Sequence, residues 1–348
     1  MASLILVLNS GSSTLKASLV AEGADEAAAS TSAVWDSESR DATFERVLRE
    51  LPITDVELRA VAHRVVHGGT RFTGPVLIDD EAISALTELT ELAPLHNEVA
   101  LDVIRLARSR LPDVPHVACF DTAFHASMPE VAWRYPVPAE WADRWGIRRF
   151  GFHGLSVEWS VMAAAEILGV PVDALSVVVA HLGSGCSVTA VERGRSVWTS
   201  MGFTPLEGLM MGTRSGSIDP GIVLYLLATG RASIAELEAA LGRRSGLLGV
   251  SGVSADLREV GAAAARGDRR AALAAEMFVA RAAEGVAAAL TWVDASAIVF
   301  TGGIGEHDAD TRGAIVERLR LSDEVAVLSI EAREDAVIAR AAADLVGP

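Results

Sequence analysis

The sequence predicts an α/β fold made of two similar domains. Two stretches predict it, because each reads as an apolar strand, a tight glycine turn and a returning strand: residues 4–20 and 177–191. Asn9 and His181 occupy equivalent places in these hairpins and lie about half the chain apart. A repeat of that length indicates two domains rather than a solenoid. Glycine lets backbone N–H groups approach a phosphate closely, so we expect both hairpins to face one cleft that holds a nucleoside triphosphate. A surface hairpin with a soluble tip is the alternative for residues 4–20.

Composition limits the class of protein. The 348 residues are half apolar, carry a net charge of −16 and include two cysteines, Cys119 and Cys186. This length predicts two domains of ordinary size, and no stretch approaches the roughly 20 uninterrupted apolar residues of a membrane span. The acidic balance argues against nucleic acid or an anionic membrane as a partner. The cysteines lack disulfide or metal spacing and the start lacks a signal peptide, so we expect a cytoplasmic protein.

Basic side chains in unusual surroundings are the first candidates for binding an anion. Lys16 follows the first hairpin turn and is the only lysine in the chain. Arg64 stands among valines and alanines in AVAHRVVHGG, residues 60–69, where an arginine is rarely buried without a partner. We interpret Arg64 as an anion ligand that projects into a cleft. An arginine that faces solvent on an edge strand is the alternative.

Asp121 and His153 are candidate site residues because of their positions. Asp121 lies at the end of a predicted strand, and His153 lies just before a predicted helix. Asp121 lies toward the C-terminal end of the short apolar strand predicted at 114–124, and carboxylates at strand ends of α/β sheets point into the ligand crevice. An aspartate that only caps a turn is the alternative. His153 lies in RRFGFHG, just before a predicted helix at 156–168, where a histidine beside glycines suits a phosphate contact. Otherwise it is an ordinary turn residue.

The second half adds a long glycine-punctuated segment, residues 200–221, with Arg214 as its sole base. A loop of this length in a compact domain is typical of a functional site, and an exposed flexible arginine is the alternative. A small-residue turn before a helix occurs at 249–258, and residues 297–307 predict a strand followed by a double-glycine turn of the kind that contacts phosphate or ribose. The latter is no Rossmann fingerprint because Gly303-Ile304-Gly305 lacks the third glycine, and no Walker A motif occurs.

The other segments predict ordinary elements. Helices are expected at 43–51 and 79–92, and a further helix runs from there to about residue 110. Two packed helices are expected over 258–292 and another helix at 333–346. A strand is expected at 324–330 and a loop at 135–145.

Nine segments together resemble the acetate kinase family, short-chain carboxylate kinases of the sugar kinase, Hsp70 and actin superfamily. They are NSGSSTLK (9–16), HRVVHGG (63–69), LAPLHN (92–97), FDTAFHASMP (120–129), RRFGFHG (148–154), HLGSGCS (181–187), SMGFTPLEGLMMGTRSGSIDP (200–220), VSGVSADLR (250–258) and FTGGIGEH (300–307). The resemblance implies two duplicated actin-like (ribonuclease H-like) domains around a nucleotide cleft, usually in a homodimer. Residues 1–147 with the C-terminal helix 334–348 would form one domain and residues 148–333 the other.

The resemblance also implies roles for individual residues. Asn9 and Glu334 match the site of Mg²⁺, with Mn²⁺ as a possible substitute, and Lys16 matches the lysine at the phosphate end of ATP or ADP. Arg64 matches the carboxylate-binding arginine. The residues around the transferring phosphoryl group are matched by Asp121, His153 and Arg214. The nucleotide loops are matched by His181, Leu182, Gly183, Ser184, Gly185, Asp256, Leu257, Arg258, Gly303, Ile304, Gly305, Glu306 and His307. The apolar pocket for the acyl methyl group is matched by Val66, Leu95, Phe152 and Pro205.

Some positions depart from the family pattern. Ser184 and His307 stand where the family usually has asparagine, and Trp198 replaces a small or polar residue. The chain is shorter than usual between residues 321 and 325, and IEARED replaces the usual PTNEE before the last helix.

The implied activity is reversible phosphoryl transfer from ATP to acetate, giving acetyl phosphate and ADP. A carboxylate is already ionised at neutral pH, so the nucleophile needs no strong base, and catalysis rests on positioning and charge neutralisation. Asp121 is therefore expected to orient an arginine or a magnesium-bound water. We also expect domain closure to exclude water from the reaction. The alternatives are a propionate- or butyrate-preferring kinase and a non-catalytic ATP-gated binding module, which leaves Arg64 and Arg214 without a task.

Overall fold

The computed structural model describes residues 3–11, 14–35, 39–53, 57–92, 94–322 and 324–347, with only the backbone at residues 91, 92 and 94–96. The chain divides into two compact units. Unit 1 comprises Met1–Ala126, Phe152–Trp159 and Arg333–Pro348, and unit 2 comprises Ser127–Gly151 and Ser160–Ala332. The domain boundary predicted between residues 147 and 148 stays a prediction.

Six strands form the sheet of unit 1: β1 (Leu4–Ser10), β2 (Thr14–Ala21), β3 (Ala27–Val34), β4 (Leu58–Val65), β5 (Val76–Leu77) and β6 (His116–Phe120). Their order across the sheet is β3-β2-β1-β4-β6-β5. β1 pairs antiparallel with β2 and parallel with β4, and β4 pairs parallel with β6. The parallel strands β1, β4 and β6 therefore end at the same edge of the sheet.

Five strands form the sheet of unit 2: β7 (Val177–Leu182), β8 (Cys186–Glu192), β9 (Arg195–Thr199), β10 (Ala297–Thr301) and β11 (Ala326–Ser329). Their order is β11-β10-β7-β8-β9. β7 and β8 form a hairpin, β9 extends it antiparallel, and β10 pairs parallel with both β7 and β11.

The described residues form fourteen α-helices: α1 (Arg40–Glu50), α2 (Asp80–Glu88), α3 (Pro94–Arg110), α4 (Glu130–Trp133), α5 (Ala139–Trp145), α6 (Gly154–Leu168), α7 (Pro220–Ala228), α8 (Ile234–Arg243), α9 (Gly246–Ser251), α10 (Leu257–Ala265), α11 (Arg269–Leu290), α12 (Gly302–His307), α13 (Ala309–Leu319) and α14 (Glu334–Val346). Short 3₁₀ turns lie at Leu89–Leu92, Ala123–Ser127 and Val172–Ala174. Within the described part of the chain, no helix is long and apolar enough to cross a membrane.

Helices cover both faces of the unit 1 sheet. Successive residues of a strand point to opposite faces, and Ile5, Leu6, Val7 and Leu8 are all buried, so neither face of β1 is open to solvent. One face packs against α1 and α3 through a cluster that contains Phe44. The C-terminal helix α14 also packs on this sheet, against β1, β2, β4 and β6.

The long helix α11 covers the sheet of unit 2. Its buried residues recur every three or four positions, as in Ala271, Ala274, Phe278 and Ala282, which places them on one helical face. That face packs against β7 and β8. Asp268 begins the helix by accepting hydrogen bonds from two backbone N–H groups of its first turn.

The two sheets repeat one topology. The orders β3-β2-β1-β4-β6 and β9-β8-β7-β10-β11 each comprise three antiparallel strands followed by two parallel ones. Asn9 is the next-to-last residue of β1 and His181 the next-to-last of β7, so the equivalence read from the sequence holds. The predicted α/β class with two duplicated domains is confirmed.

Three strands were missed by the sequence pattern: β3, β5 and β9. β3 reads AAASTSAV, which lacks the large apolar side chains that mark a strand, and most of it is exposed at the sheet edge. It forms because β2 offers a free row of backbone groups to pair with. β5 has only two residues and pairs antiparallel with β6.

Some predicted loops contain helix. The expected loop at 135–145 includes α5, the turn at 249–258 overlaps the end of α9, and the double glycine after β10 begins α12 without an intervening loop. The helix expected at 43–51 begins earlier, at Arg40, and the one expected at 79–92 ends as a 3₁₀ turn. Short helices of small or mixed residues have too little apolar periodicity to be recognised.

Candidate active site

Four polar side chains meet in unit 1 where the parallel strands end. Asn9 and Arg64 are the next-to-last residues of β1 and β4, Asp121 follows β6, and Glu334 begins α14. Arg64 Nε and Nη2 donate to Asp121 Oδ1 and Oδ2 at 2.8 and 2.6 Å, and Arg64 Nη1 donates to Asn9 Oδ1 at 3.1 Å. Asn9 Nδ2 donates to Glu334 Oε2 at 3.2 Å. One hydrogen-bonded network therefore joins four of the predicted site residues.

Arg64 is a partly buried cation held by two carboxylates. Its side chain is 17% exposed and that of Asp121 2%, and Arg64 Nη1 also lies 3.6 Å from Glu334 Oε2. Burial lowers the pKa of Arg64, but the negative charges of Asp121 and Glu334 raise it by more than burial lowers it. The pKa of Arg64 therefore lies above its ordinary value. Since β4 lies between β1 and β6, the alternative of an arginine on an edge strand is wrong.

Lys16 forms an ion pair that the sequence did not indicate. Lys16 Nζ lies 2.9 Å from Asp335 Oδ2, and the lysine side chain is 50% exposed. Ser18 Oγ donates to the same carboxylate at 2.6 Å. Of the predicted hairpin turn, residues 12 and 13 lie outside the described residues, and Gly11 N donates to Thr14 O at 2.8 Å.

The turn that carries His153 is tied to Asp121. His153 adopts φ +58°, a left-handed conformation unusual for a residue other than glycine. Gly154 N donates to Asp121 O at 2.9 Å, and a Cβ at Gly154 would stand 2.2 Å from that oxygen. Only glycine fits there, so the close approach of the two segments explains the Gly in FHG.

The predicted acyl-pocket residues are only partly brought together. Val66 and Phe152 are both buried in unit 1, and the ring of His67 meets the ring of Phe152 edge-on, with centroids 5.5 Å apart. Leu95 belongs to α3, but its side chain lies outside the described residues. Pro205 belongs to unit 2.

Arg214 lies half-buried in unit 2, in the long segment between β9 and α7, rather than exposed as the alternative proposed. Its Nη1 donates to Pro205 O at 3.2 Å, and burial lowers its pKa. Its positive charge lowers the pKa of Cys186, but burial has the larger effect and raises the pKa of that thiol to about 12. Arg214 is therefore close to the β7–β8 hairpin, where Cys186 Sγ contacts Gly183 O at 3.3 Å.

The predicted nucleotide loops line one cavity of about 830 Å³ in unit 2. The loops after β7, before and into α10, and in α12 with the start of α13 contribute its walls. The lining residues are Gly183, Ser184, Ala255, Asp256, Leu257, Arg258, Gly303, Ile304, His307, Asp308, Ala309 and Asp310. Ala255, Asp308, Ala309 and Asp310 were missed, because the predicted loops began at Asp256 and ended at His307.

Other predicted loop residues support this cavity from beside it: His181, Leu182, Gly185, Gly305 and Glu306. A Cβ at Gly302 would stand 2.8 Å from Leu182 O and 3.1 Å from His181 Nε2, so β7 and α12 approach closely. Glu306 Oε1 accepts a hydrogen bond from Ala332 N at 3.0 Å, which fixes the chain after β11.

Asp256 and Arg258 form an exposed pair at the cavity wall. Hydrogen bonds from the Arg258 side chain, with a further one from its backbone N–H, lower the pKa of Asp256 to about 2. Asp256 also begins α10 as its cap. The pair therefore holds the start of α10 in place beside the cavity.

The donor set in unit 1 suits a hard cation bound together with phosphate. Among the described residues no group of three or more His, Cys, Asp or Glu side chains could hold a metal ion alone. Asn9 and Glu334, in contact with each other, offer an amide and a carboxylate oxygen, and Mg²⁺ is usually held by one or two such ligands, several waters and substrate phosphates. The residues present fit Mg²⁺ on these terms.

Comparison with known proteins gives one consistent result. The model of the acetokinase family matches residues 34–344. An acetate kinase of Deinococcus deserti is 47% identical over 341 residues, which cover 91% of this chain and 85% of that protein.

Two solved structures resemble the whole chain. An acetate kinase of Porphyromonas gingivalis superimposes with a TM-score of 0.88 at 33% identity, covering 97% of this chain and 98% of the other. A propionate kinase of Francisella tularensis gives 0.89 at 36% identity with the same coverage.

Proposed function

The chain belongs to the acetokinase family, and we propose that it transfers a phosphoryl group reversibly from ATP to acetate, giving acetyl phosphate and ADP. The observation that carries this proposal is the Arg64 guanidinium, held by Asp121 at the end of β4 in a chain 47% identical to an acetate kinase. A cation so placed has a clear use in a reaction whose acceptor is a small carboxylate. The duplicated sheets are the actin-like fold that the resemblance implies.

The acceptor needs orientation rather than activation. Acetate is ionised at neutral pH, so its oxygen attacks the γ-phosphorus directly while the bond to the ADP oxygen breaks on the opposite side. Arg64 would pair with the carboxylate and hold it in line. Asp121 would act through Arg64, since its bidentate hydrogen bonds fix the plane of the guanidinium.

Charge on the transferring group would be met by Arg214 and His153. A guanidinium can donate to two phosphoryl oxygens at once. The support for Arg214 is its half-buried position near the β7–β8 hairpin, which carries the first of the cavity-lining loops. The support for His153 is the unusual turn that its backbone adopts beside Asp121.

The nucleotide would occupy the cavity of unit 2, with Lys16 at its phosphate end. The proposal for the cavity is supported by its three loops and its size, which suits a nucleoside. Asn9 and Glu334 would hold Mg²⁺, or Mn²⁺ in its place. When bound, the ion would neutralise phosphate charge.

The acyl group would lie against Val66, Leu95, Phe152 and Pro205. The buried positions of Val66 and Phe152 support an apolar wall. Acetate offers one methyl group to such a wall, so the discrimination against longer acids is expected to rest on volume.

The test is a hydroxylamine trapping assay that detects the acyl phosphate. Wild-type protein is incubated with ATP and acetate, propionate or butyrate, with and without Mg²⁺. We expect hydroxamate with acetate, less with propionate, and none without the metal. No acyl phosphate from any of the three acids would overturn the proposal, and a preference for propionate would correct the substrate.

We also propose a homodimer, formed through α7. No residue of this helix is buried, although it reads PGIVLYLLA, and Leu224 is 66% exposed beside Ile222 and Tyr225. An apolar helix exposed on a soluble enzyme marks an interaction surface, and a second copy joined by two-fold symmetry is the commonest partner.

We also propose a cytoplasmic location, which is supported by the free, buried cysteines and the use of ATP.

Light scattering during size-exclusion chromatography tests the dimer. We expect twice the chain mass of 36.5 kDa for the wild type and one chain mass for Leu224→Glu. Val34→Glu is the matched control, since Val34 is equally exposed on β3 in unit 1. A wild type that elutes with the mass of one chain, or a Leu224→Glu dimer, would contradict the proposal.

A further inference from the structure

His125 is a buried histidine that the mechanism above does not use. It lies in the 3₁₀ turn Ala123–Ser127, four residues after Asp121, and is 1% exposed. Its Nε2 lies 2.9 Å from the backbone oxygen of Phe152. A carbonyl oxygen only accepts hydrogen bonds, so Nε2 carries the proton and donates. Burial lowers the pKa of His125 to about 4, which keeps the ring neutral in this role at neutral pH.

The carbonyl held by His125 precedes the most unusual backbone of the site. His153, the next residue, is one of three described residues other than glycine with positive φ. Such a conformation persists only where its surroundings fix it. Two further hydrogen bonds hold the turn, Gly154 N to Asp121 O and Val157 N to His153 O, both at 2.9 Å. The His125 contact adds support on the side of Phe152, where the His67 ring also meets the Phe152 ring.

The segment that carries His125 also contacts the end of β4 and the residues that follow it. Asp121 binds Arg64 through its side chain, and Thr122 Oγ1 accepts a hydrogen bond from Gly68 N at 3.0 Å, two residues beyond Val66. Residues 121–125 thus connect the strand end that bears Arg64 with the turn that bears His153. In this segment His125 is the side chain that reaches Phe152.

We propose that His125 is a positioning residue: its Nε2–H fixes the Phe152 carbonyl and thereby sets the place of the Phe152 ring and of His153. The inference rests on the proposed function, in which Phe152 lines the acyl pocket and His153 meets the phosphoryl group. His125 itself touches no substrate. Its removal should therefore affect the acyl and phosphoryl part of the reaction and leave the binding of the nucleotide in unit 2 unchanged.

The test compares His125→Phe, which keeps a ring without the donor, with His125→Gln, whose amide nitrogen can occupy the place of Nε2. For His125→Phe we expect kcat to fall about 10- to 100-fold and KM for acetate to rise, because small misplacements of reacting groups are costly. KM for ATP should stay within about twofold. His125→Gln should recover most of kcat, whereas His125→Asn, whose amide is too short to reach, should not.

His116→Phe is the matched control, since His116 is buried, bonds to His63 Nε2 at 3.0 Å and makes no contact with Phe152 among the described residues. This control should lower the unfolding temperature and should not raise KM for acetate relative to KM for ATP. A His125→Phe enzyme with wild-type kcat and acetate KM would overturn the inference, as would equal activity of the Gln and Asn variants. Should the Phe variant fail to fold, the Gln and Asn pair decides. An inactive wild type would refute the proposed function instead.

Discussion

Arg64 and Asp121 form a bidentate pair in which both carboxylate oxygens accept from the guanidinium, at 2.8 and 2.6 Å. The carboxylate is almost fully buried, and the guanidinium Nη1 that does not bind it turns toward Asn9 and Glu334. The orientation of the anion ligand is therefore set from behind, by a residue on the neighbouring strand end.

Asp121→Asn should loosen the orientation of the Arg64 guanidinium. An amide can accept only one of the two hydrogen bonds, so we expect KM for acetate to rise and kcat to fall about 10- to 100-fold. The free energy of unfolding should drop by roughly 1–3 kcal/mol, because a buried group loses a partner. Steady-state kinetics and denaturant unfolding measure both. Asp80→Asn is the control, since the pair of Asp80 with Arg108 is exposed and should matter little.

Arg214→Ala should lower turnover by about 10²- to 10³-fold, as for loss of one transition-state hydrogen-bond donor. Arg214→Lys should recover only part, because it keeps the charge and loses the fork. Both should unfold near the wild-type temperature, since the Arg214 side chain donates to Pro205 O at 3.2 Å and otherwise makes only a long contact with Met211 Sδ at 3.8 Å among the hydrogen bonds of the described chain. Arg281→Ala, on the exposed face of α11, is the control. Near-normal turnover by Arg214→Ala would remove it from the site.

Lys16→Ala should raise KM for ATP and leave the fold intact. The ion pair with Asp335 is half-exposed, and such pairs contribute only about 0–1 kcal/mol to stability. Kinetics at varied ATP, together with thermal unfolding, check both halves of this expectation. Unchanged ATP kinetics in a folded variant would return the first hairpin to a purely structural role.

Val66→Ala should improve the use of propionate relative to acetate. One methylene in an apolar pocket is worth roughly 1–3 kcal/mol, so the ratio of kcat/KM values should shift modestly. Val65→Ala is a close control, because the neighbouring side chain points to the other face of β4 and packs in the core with Phe72 and Phe120. If both variants show the same ratio as the wild type, Val66 does not line the pocket.

Stability should fall as the pH falls from about 6.5 toward 4. Burial lowers the pKa of His63, His116 and His125, to about 4 for His125, whereas in the unfolded chain a histidine has a pKa of about 6.5. In this window the unfolded state binds more protons, so stability rises with pH, by up to about 1.4 kcal/mol per pH unit for each histidine. Urea unfolding at several pH values measures the slope. His125→Gln should reduce it, and an unchanged slope would contradict the assignment.

Local patterns predicted a good part of the site. Arg64 and Asp121 could be found because an arginine in an apolar strand and a carboxylate at a strand end are both unusual, and the geometry joins them. Asp335 could not be found, since its partner Ser18 lies 317 positions away and nothing near either residue signals the contact. Contacts between distant segments depend on topology, which the periodicity of one strand does not contain.

Of the fold, the hairpins and the duplication could be predicted, because strongly apolar strands with glycine turns are distinctive. The edge strand β3 could not, since its alanines, serines and threonine gain their structure from pairing with β2. The role inferred for His125 was also invisible, because a histidine in FDTAFH looks the same whether its ring meets solvent or a buried carbonyl.

The position of α14 has a consequence for synthesis on the ribosome. This last helix covers β1, β2, β4 and β6 and buries Ile338 and Ala342 against the first sheet of the chain, whereas Ser160–Ala332 forms most of unit 2 without a break. Because α14 follows unit 2 in the chain, unit 1 cannot complete its packing until the whole of unit 2 has been synthesised, and one face of its sheet stays uncovered until then. A stop codon before α14 should consequently leave a chain whose first-made half is the half that chaperones and proteases recognise.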